Sequence, residues 1–273
     1  MTHMPQNMQN FEQKPKQERN IEKDKQSFME AVSLISVEEI PVKFDESAVR
    51  KLAENLESTN LLILGEMHGV KENADVIYTL FKKFGFRQLA LEWEPELKDV
   101  AERFLESGEL DFDAIKDSPD GRVTAGHFAL IKKLKSQGML ERLVCFDEGS
   151  GGKGWNTRDT AMARNVLSTL SDMPTLAVAG NLHAKTEPIT FGDEPGEQHP
   201  MGENIKKEIP NVGSGKIEYL SGQFHNYGTQ EFERLSEEKG SPETRFYQDE
   251  KGLYIFEVPE AHAATVPNPH ERI

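Results

Sequence analysis

From Leu61 onward the chain alternates short unbroken apolar runs with longer stretches whose apolar residues recur every third or fourth position. The first pattern suits strands buried on both faces, and the second suits helices packed against a sheet. "NLLILG" predicts a buried strand. "ENADVIYTLFKKFG" predicts a helix that turns Ala74, Ile77, Leu80, Phe81 and Phe84 to the sheet and stops at Gly85. The alternation continues through strand "FRQLALEWE", helices "LKDVAERFLESG" and "HFALIKKLKSQG", strand "RLVCFDE", helix "RDTAMARNVLSTL" and strand "TLAVAGN". Two further strands, "KIEYLSG" and "GLYIFEV", follow a polar stretch from about Lys185 to Gly215 whose pattern allows a lid, a partner surface or a flexible loop. Upstream, Ser47 is placed to cap a helix carrying Val49, Leu52, Ala53 and Leu56 at helical spacing.

Strand and helix in alternation imply parallel strands joined by right-handed crossovers. The expected fold is therefore α/β, a mostly parallel sheet with helices on both faces and a site at the carboxyl ends of the strands. One domain is expected over residues 28–260. The Gln-, Asn-, Lys- and Glu-rich residues 1–27 have little to bury and read as a disordered tail, and residues 261–273 read as a C-terminal tail.

Composition narrows the partners. A net charge of -15 provides no basic field to hold a phosphate backbone, so nucleic acid is not expected. The single cysteine, Cys145, has no pairing partner within the chain and reads as a small core residue. No apolar run reaches the roughly 18 residues of a membrane helix and no signal segment stands out, so no membrane is expected and the cytoplasm is the expected location. A small molecule is the expected partner; the oligomeric state is not encoded in any motif.

Ligands of open parallel sheets bind beyond the carboxyl ends of the strands, and there the chemistry collects. The first strand releases Glu66 and His68, the second Glu92, Trp93 and Glu94, the third Asp147 and Glu148, and the fourth Asn181 and His183. One polar strand end is an ordinary turn or cap; four in succession point to a shared polar pocket. Histidines beside carboxylates suit acid–base catalysis, because a carboxylate at one ring nitrogen orients the imidazole and raises its basicity. The same types, Glu66, His68, Glu92 and His183, are also ligands for a divalent metal such as zinc or manganese. Spacing leaves both open, since "GEMHG" is not the helical HExxH pattern. Arg158 and Asp159 open a helix, where an acid also gains from the helix dipole. Asn181 and Asp147 join Trp93, Asp159 and His127 as candidate substrate contacts; His127 also suits a cap, and Trp93 or Trp155 also suits packing. "GSGGKGWNTRD" lacks P-loop spacing and is better suited to a hinged lid over the pocket.

Taken together, "LLILGEMHG", "LALEWE", "NTRDTAMARNVL" and "TLAVAGNLHA" resemble the motif series of the erythromycin-esterase and ChaN-like superfamily, over residues 61–184. The resemblance implies an α/β hydrolase in which His68 activates water against an ester-like or amide-like carbonyl. Glu66 or Glu92 would orient it, and His183 with Arg158 would steady the oxyanion. It implies, as the alternative, a haem- or metal-binding protein with the same residues as ligands and no turnover. The chain looks shorter than the macrolide esterases, and "GNLHA" carries Asn181 where they tend to have another histidine. The resemblance therefore bears on the site more than on the substrate.

Overall fold

The computed structural model describes residues 20–149, 154–190, 196–233 and 243–269. Its centre is a nine-stranded mixed sheet. The strands are β1 (Lys43–Phe44), β2 (Leu61–Glu66), β3 (Gln88–Leu91), β4 (Arg142–Cys145), β5 (Thr175–Gly180), β6 (Gly213–His225), β7 (Thr229–Glu233), β8 (Arg245–Gln248) and β9 (Tyr254–Ala261). They lie in the order β1-β8-β9-β6-β2-β5-β3-β4, with β7 folded back on β6. The central strands β9, β6, β2, β5, β3 and β4 are parallel; β7 and β8 pair antiparallel with β6 and β9. The α/β fold expected from the alternation is the one observed.

Why the apolar runs become central strands is visible in how they divide between two cores. Leu62, Leu64, Leu89, Leu91, Leu176 and Val178 point into the larger core, while Leu61, Ile63, Ala90, Ala177 and Ala179 point into the smaller one. Successive side chains on a strand face opposite ways, so a strand covered on both sides must be apolar at every position. The larger core takes the apolar sides of α1 (Ile21–Leu34), α2 (Glu46–Thr59), α3 (Asn73–Phe84), α4 (Glu96–Ser107) and α5 (Ala125–Ser136). The smaller takes those of α6 (Trp155–Ser168) and α7 (Met201–Glu208). Among the described residues no helix is long and apolar enough to cross a membrane.

Several boundaries differ from expectation. Residues 21–27 belong to α1, capped by Asn20, and Phe28 and Val32 on the same helix are buried. Phe28 packs edge-on against Phe128 at 6.2 Å and against Phe112 at 6.0 Å, so two aromatic contacts hold a helix whose own apolar pattern is sparse. Residues 1–19 lie outside the described set. The α2 cap is Asp45, which accepts from Ala48 N at 2.8 Å, not Ser47. The C-terminal stretch is a strap: Lys71 N donates to His262 O, Ala264 N to Gly69 O and Ala125 N to Thr265 O, all within 2.9 Å, and Val266 is buried. Residues 270–273 lie outside the described set. Within the stretch from Lys185 to Gly215, α7 buries Met201 and Ile205; at eight residues it is too short for periodicity to reveal.

Candidate functional site

Parallel register brings the strand ends together. Glu66 pairs with Gly180, while Leu91 lies between Val178 and Cys145. Glu66, Glu92, Asp147 and the turn after Gly180 therefore emerge at one edge of four adjacent strands.

His68 stands at the centre. Its Nδ1 lies 3.1 Å from Glu66 Oε1 and its Nε2 3.5 Å from Glu92 Oε2. Two glycines make this placement possible. Gly180 lies under the ring, where a Cβ would stand 2.8 Å from His68 Nε2. Gly69 adopts φ +71° in the turn just after His68, and there its backbone approaches His225 so closely that a Cβ would stand 1.9 Å from His225 O; only glycine fits such a turn. Burial by itself would lower the pKa of His68, but the hydrogen bonds and charges of Glu66 and Glu92 prevail and push it up to about 10. The two glutamates shift the other way. Burial would raise them, yet His127 and His68 hold Glu66 below the usual carboxylate range, and the hydrogen bond and charge of His68 together with the charge of Arg158 hold Glu92 well below it. At neutral pH His68 is thus an imidazolium between two carboxylates, and with 23% of its side chain exposed it is the accessible member of the three.

A second layer of ionic contacts fixes Glu92. Its Oε2 accepts from Gly180 N at 2.7 Å and its Oε1 from Arg158 at 2.7 Å. Arg158 also donates from Nε to Asp147 Oδ1 at 3.0 Å and from its terminal nitrogen to Asp147 Oδ2 at 2.7 Å. Its remaining terminal nitrogen donates to His183 Nε2 at 3.0 Å. Because arginine only donates, His183 must carry its proton on Nδ1 and give it to Asp159, 2.9 Å away. Asp159 in turn accepts from Met201 N at 2.7 Å, and the Trp155 indole stacks on the His183 ring with centroids 4.2 Å apart.

The ten candidates therefore take different places. Glu66, His68, Glu92, Arg158, His183, Asp147 and Asp159 form one hydrogen-bonded assembly, of which Asp147 and Asp159 are completely buried behind the others. His127, also buried, stands on the far side of Glu66. Trp93 is buried and donates from its indole to Arg122 O at 2.8 Å. Asn181 contributes its backbone, donating to Glu66 O at 2.9 Å, while its Oδ1 is turned onto Gly65. Of the lid expected over residues 149–159, residues 150–153 lie outside the described set, and the part from Trp155 onward is the start of α6.

Two participants follow no strand and escape an inventory of strand ends. Asp120 and Arg122 lie in "SPDGRVTAG" before α5. Arg122 pairs with Asp120 and reaches Asp147 Oδ2 at 2.6 Å. The Asp-Gly turn just ahead of the capped helix was the only available signal. Both residues line a cleft of about 260 Å³ together with Glu92, Trp93, Glu94 and Tyr227.

The metal site that the residue types allow does not assemble. Among the described residues no group of three or more His, Cys, Asp or Glu side chains is placed to hold a metal ion. The reason is visible in the contacts: His68 turns both nitrogens to glutamates, and His183 spends one nitrogen on Asp159 and the other on Arg158.

No family model and no curated protein matches the sequence. The fold is similar to that of a succinoglycan biosynthesis protein, with a TM-score of 0.58 and 11% identity over 88% of this chain and 98% of that one. It is also similar to a protein from Bacillus cereus, with a TM-score of 0.53 and 10% identity over 91% and 99% of the two chains. A histidine-to-asparagine mutant of an erythromycin esterase in its open conformation matches at a TM-score of 0.50 and 14% identity, over 66% of this chain and 75% of that one. At such identities the likeness concerns the fold.

Proposed function

We propose that this chain is a hydrolase of the erythromycin-esterase and ChaN-like type, acting on an ester-like or amide-like carbonyl with His68 as the base. The observation that carries this reading is the suspension of a partly exposed His68 between Glu66 and Glu92 beside a polar cleft. When His68 loses its Nε2 proton, Nε2 and Glu92 Oε2 are both acceptors. A water giving one hydrogen to each satisfies both and keeps its oxygen free for attack. As the carbon–oxygen bond forms, the water proton passes to Nε2; when the tetrahedral intermediate collapses, the departing alcohol or amine takes it back. Arg122, 28% exposed in the cleft wall, is the better placed guanidinium to meet the developing oxyanion. Arg158 and His183, engaged with each other and with Asp147 and Asp159, serve to hold Glu92 in place.

Haem binding is the weaker reading. Neither site histidine has a ring nitrogen directed to open space, and the cleft wall carries Glu92, Glu94 and Asp120 against Arg122, a poor setting for anionic propionates.

The test is hydrolysis of a panel of small acyl esters across pH. A base whose pKa is raised is mostly protonated at neutrality, so the rate should climb with pH and level off near 10, and His68→Ala should lower it by roughly 10²–10⁴-fold. A wild-type rate equal to that of His68→Ala on every ester would end the catalytic reading.

A further inference from the structure

Glu66 has a second neighbour that the proposed chemistry does not use. Its Oε2 lies 3.9 Å from His127 Nε2, both residues are at least 97% buried, and neither atom has a hydrogen-bond partner among the described residues. The distance is too long for a direct bond, and leaving a buried charged acceptor unsatisfied is costly. Everything else about the two side chains is tied down. Glu66 Oε1 is held by His68. His127 sits in the first turn of α5, its Nδ1 3.0 Å from Thr124 Oγ1 and its backbone N–H 3.2 Å from the same oxygen. Its ring meets Trp93 edge-on at 5.8 Å.

The donor inventory decides what joins them. An ionised carboxylate only accepts, so the group opposite must donate. With the proton on Nε2, a bare Nδ1 can take the hydroxyl hydrogen of Thr124. A separation of 3.9 Å suits a single water within hydrogen-bond reach of both atoms, accepting from Nε2–H and donating to Oε2.

We propose that His127 is a positioning residue of the site: as an Nε2–H donor acting through one bridging water, it holds the Glu66 carboxylate in the orientation that grips His68. A substrate contact was the expected role, and burial behind Glu66 explains why His127 cannot play it. The chain of contacts then runs continuously from Thr124 through His127, Glu66 and His68 to Glu92. As far as turnover is concerned, this inference rests on the hydrolase reading; its spectroscopic test does not.

The experiment uses the full chain with ¹⁵N-labelled histidine. His127 should show a proton on Nε2, and His68 a low-field Nδ1–H resonance from its bond to Glu66. His127→Phe, which fills the space without a donor, should move that resonance, and His127→Gln, which restores an N–H, should return it toward the wild-type position. With an ester substrate, His127→Phe should lower kcat about tenfold to hundredfold with little change in KM, and His127→Gln should recover most of it. A bare Nε2 on His127, a His68 resonance indifferent to His127→Phe, or a shift that glutamine does not reverse would each overturn the assignment. If no ester is hydrolysed by the wild type, the hydrolase reading falls while the resonances still decide the role of His127.

Discussion

A single methyl group tests the geometry of the base. Gly180→Ala places a Cβ 2.8 Å from His68 Nε2, and the ring cannot easily retreat because Glu66 and Glu92 hold both its nitrogens. The substitution removes no core side chain but strains the paired ring, so stability should fall by about 1–3 kcal/mol in urea denaturation. Turnover should fall by about 10²-fold, since a displacement near 1 Å at a reacting group has that effect. For Arg158 the test is stability. Arg158→Ala removes the guanidinium shared by buried Asp147 and Glu92, leaving Arg122 as the cation on Asp147 and His68 on Glu92, with an expected loss of roughly 3 kcal/mol by denaturant unfolding. Arg158→Lys should recover only part of this, because an ammonium cannot span Asp147, Glu92 and His183 at once. At this scale the residues that follow strands were legible: Glu66, His68, Glu92, Asp147 and His183 were all named from position alone. Arg122 and Asp120 were not, because a crossover loop reaches the sheet edge through tertiary packing that no local pattern records.

At the scale of elements, what could be read was what carries its own periodicity. Strands β2, β3 and β5 are apolar through their middles, with buried polar residues only at their ends (Glu66, Gln88 and Thr175), and α3 stops at Gly85 as expected, with that glycine in the left-handed conformation. The failures are elements stabilised from outside. α1 has only Asp24, Phe28 and Val32 buried along 14 residues, β1 is two residues long, and the strap after β9 is held by backbone bonds to Gly69 and the start of α5. If α1 is a true part of the domain, Phe28→Ala should destabilise the whole fold by about 3–5 kcal/mol, the range for a buried aromatic reduced to alanine. Equal unfolding midpoints for Phe28→Ala and wild type would instead mark α1 as an appendage that docks without contributing.

For the whole molecule, the same three side chains that define the site should shape stability against pH, and the signs are opposite on the two sides. Glu66 and Glu92 are held below their ordinary value of 4.5, so the native state binds fewer protons than the unfolded chain in that range. Their contribution is present above about 4.5 and is lost as pH falls through their native values. His68 is raised from 6.5 to about 10, so its contribution is complete below 6.5 and drains away between 6.5 and 10. Stability should therefore be greatest between about pH 4.5 and 6.5. The buried Tyr219, pushed well above 10 by burial, adds alkaline loss only beyond that window. The proposed chemistry has the reverse slope, since the base works only when His68 is neutral: rate rises with pH where stability falls. His68→Gln separates the two effects. It removes the titrating group, so its unfolding free energy, measured in urea from pH 6 to 9, below the range in which the buried Cys145 thiol adds its own alkaline loss, should stay nearly level where the wild type declines. A wild type and variant that decline in parallel would place the alkaline loss elsewhere and remove His68 from between its two carboxylates as the charged member of the site.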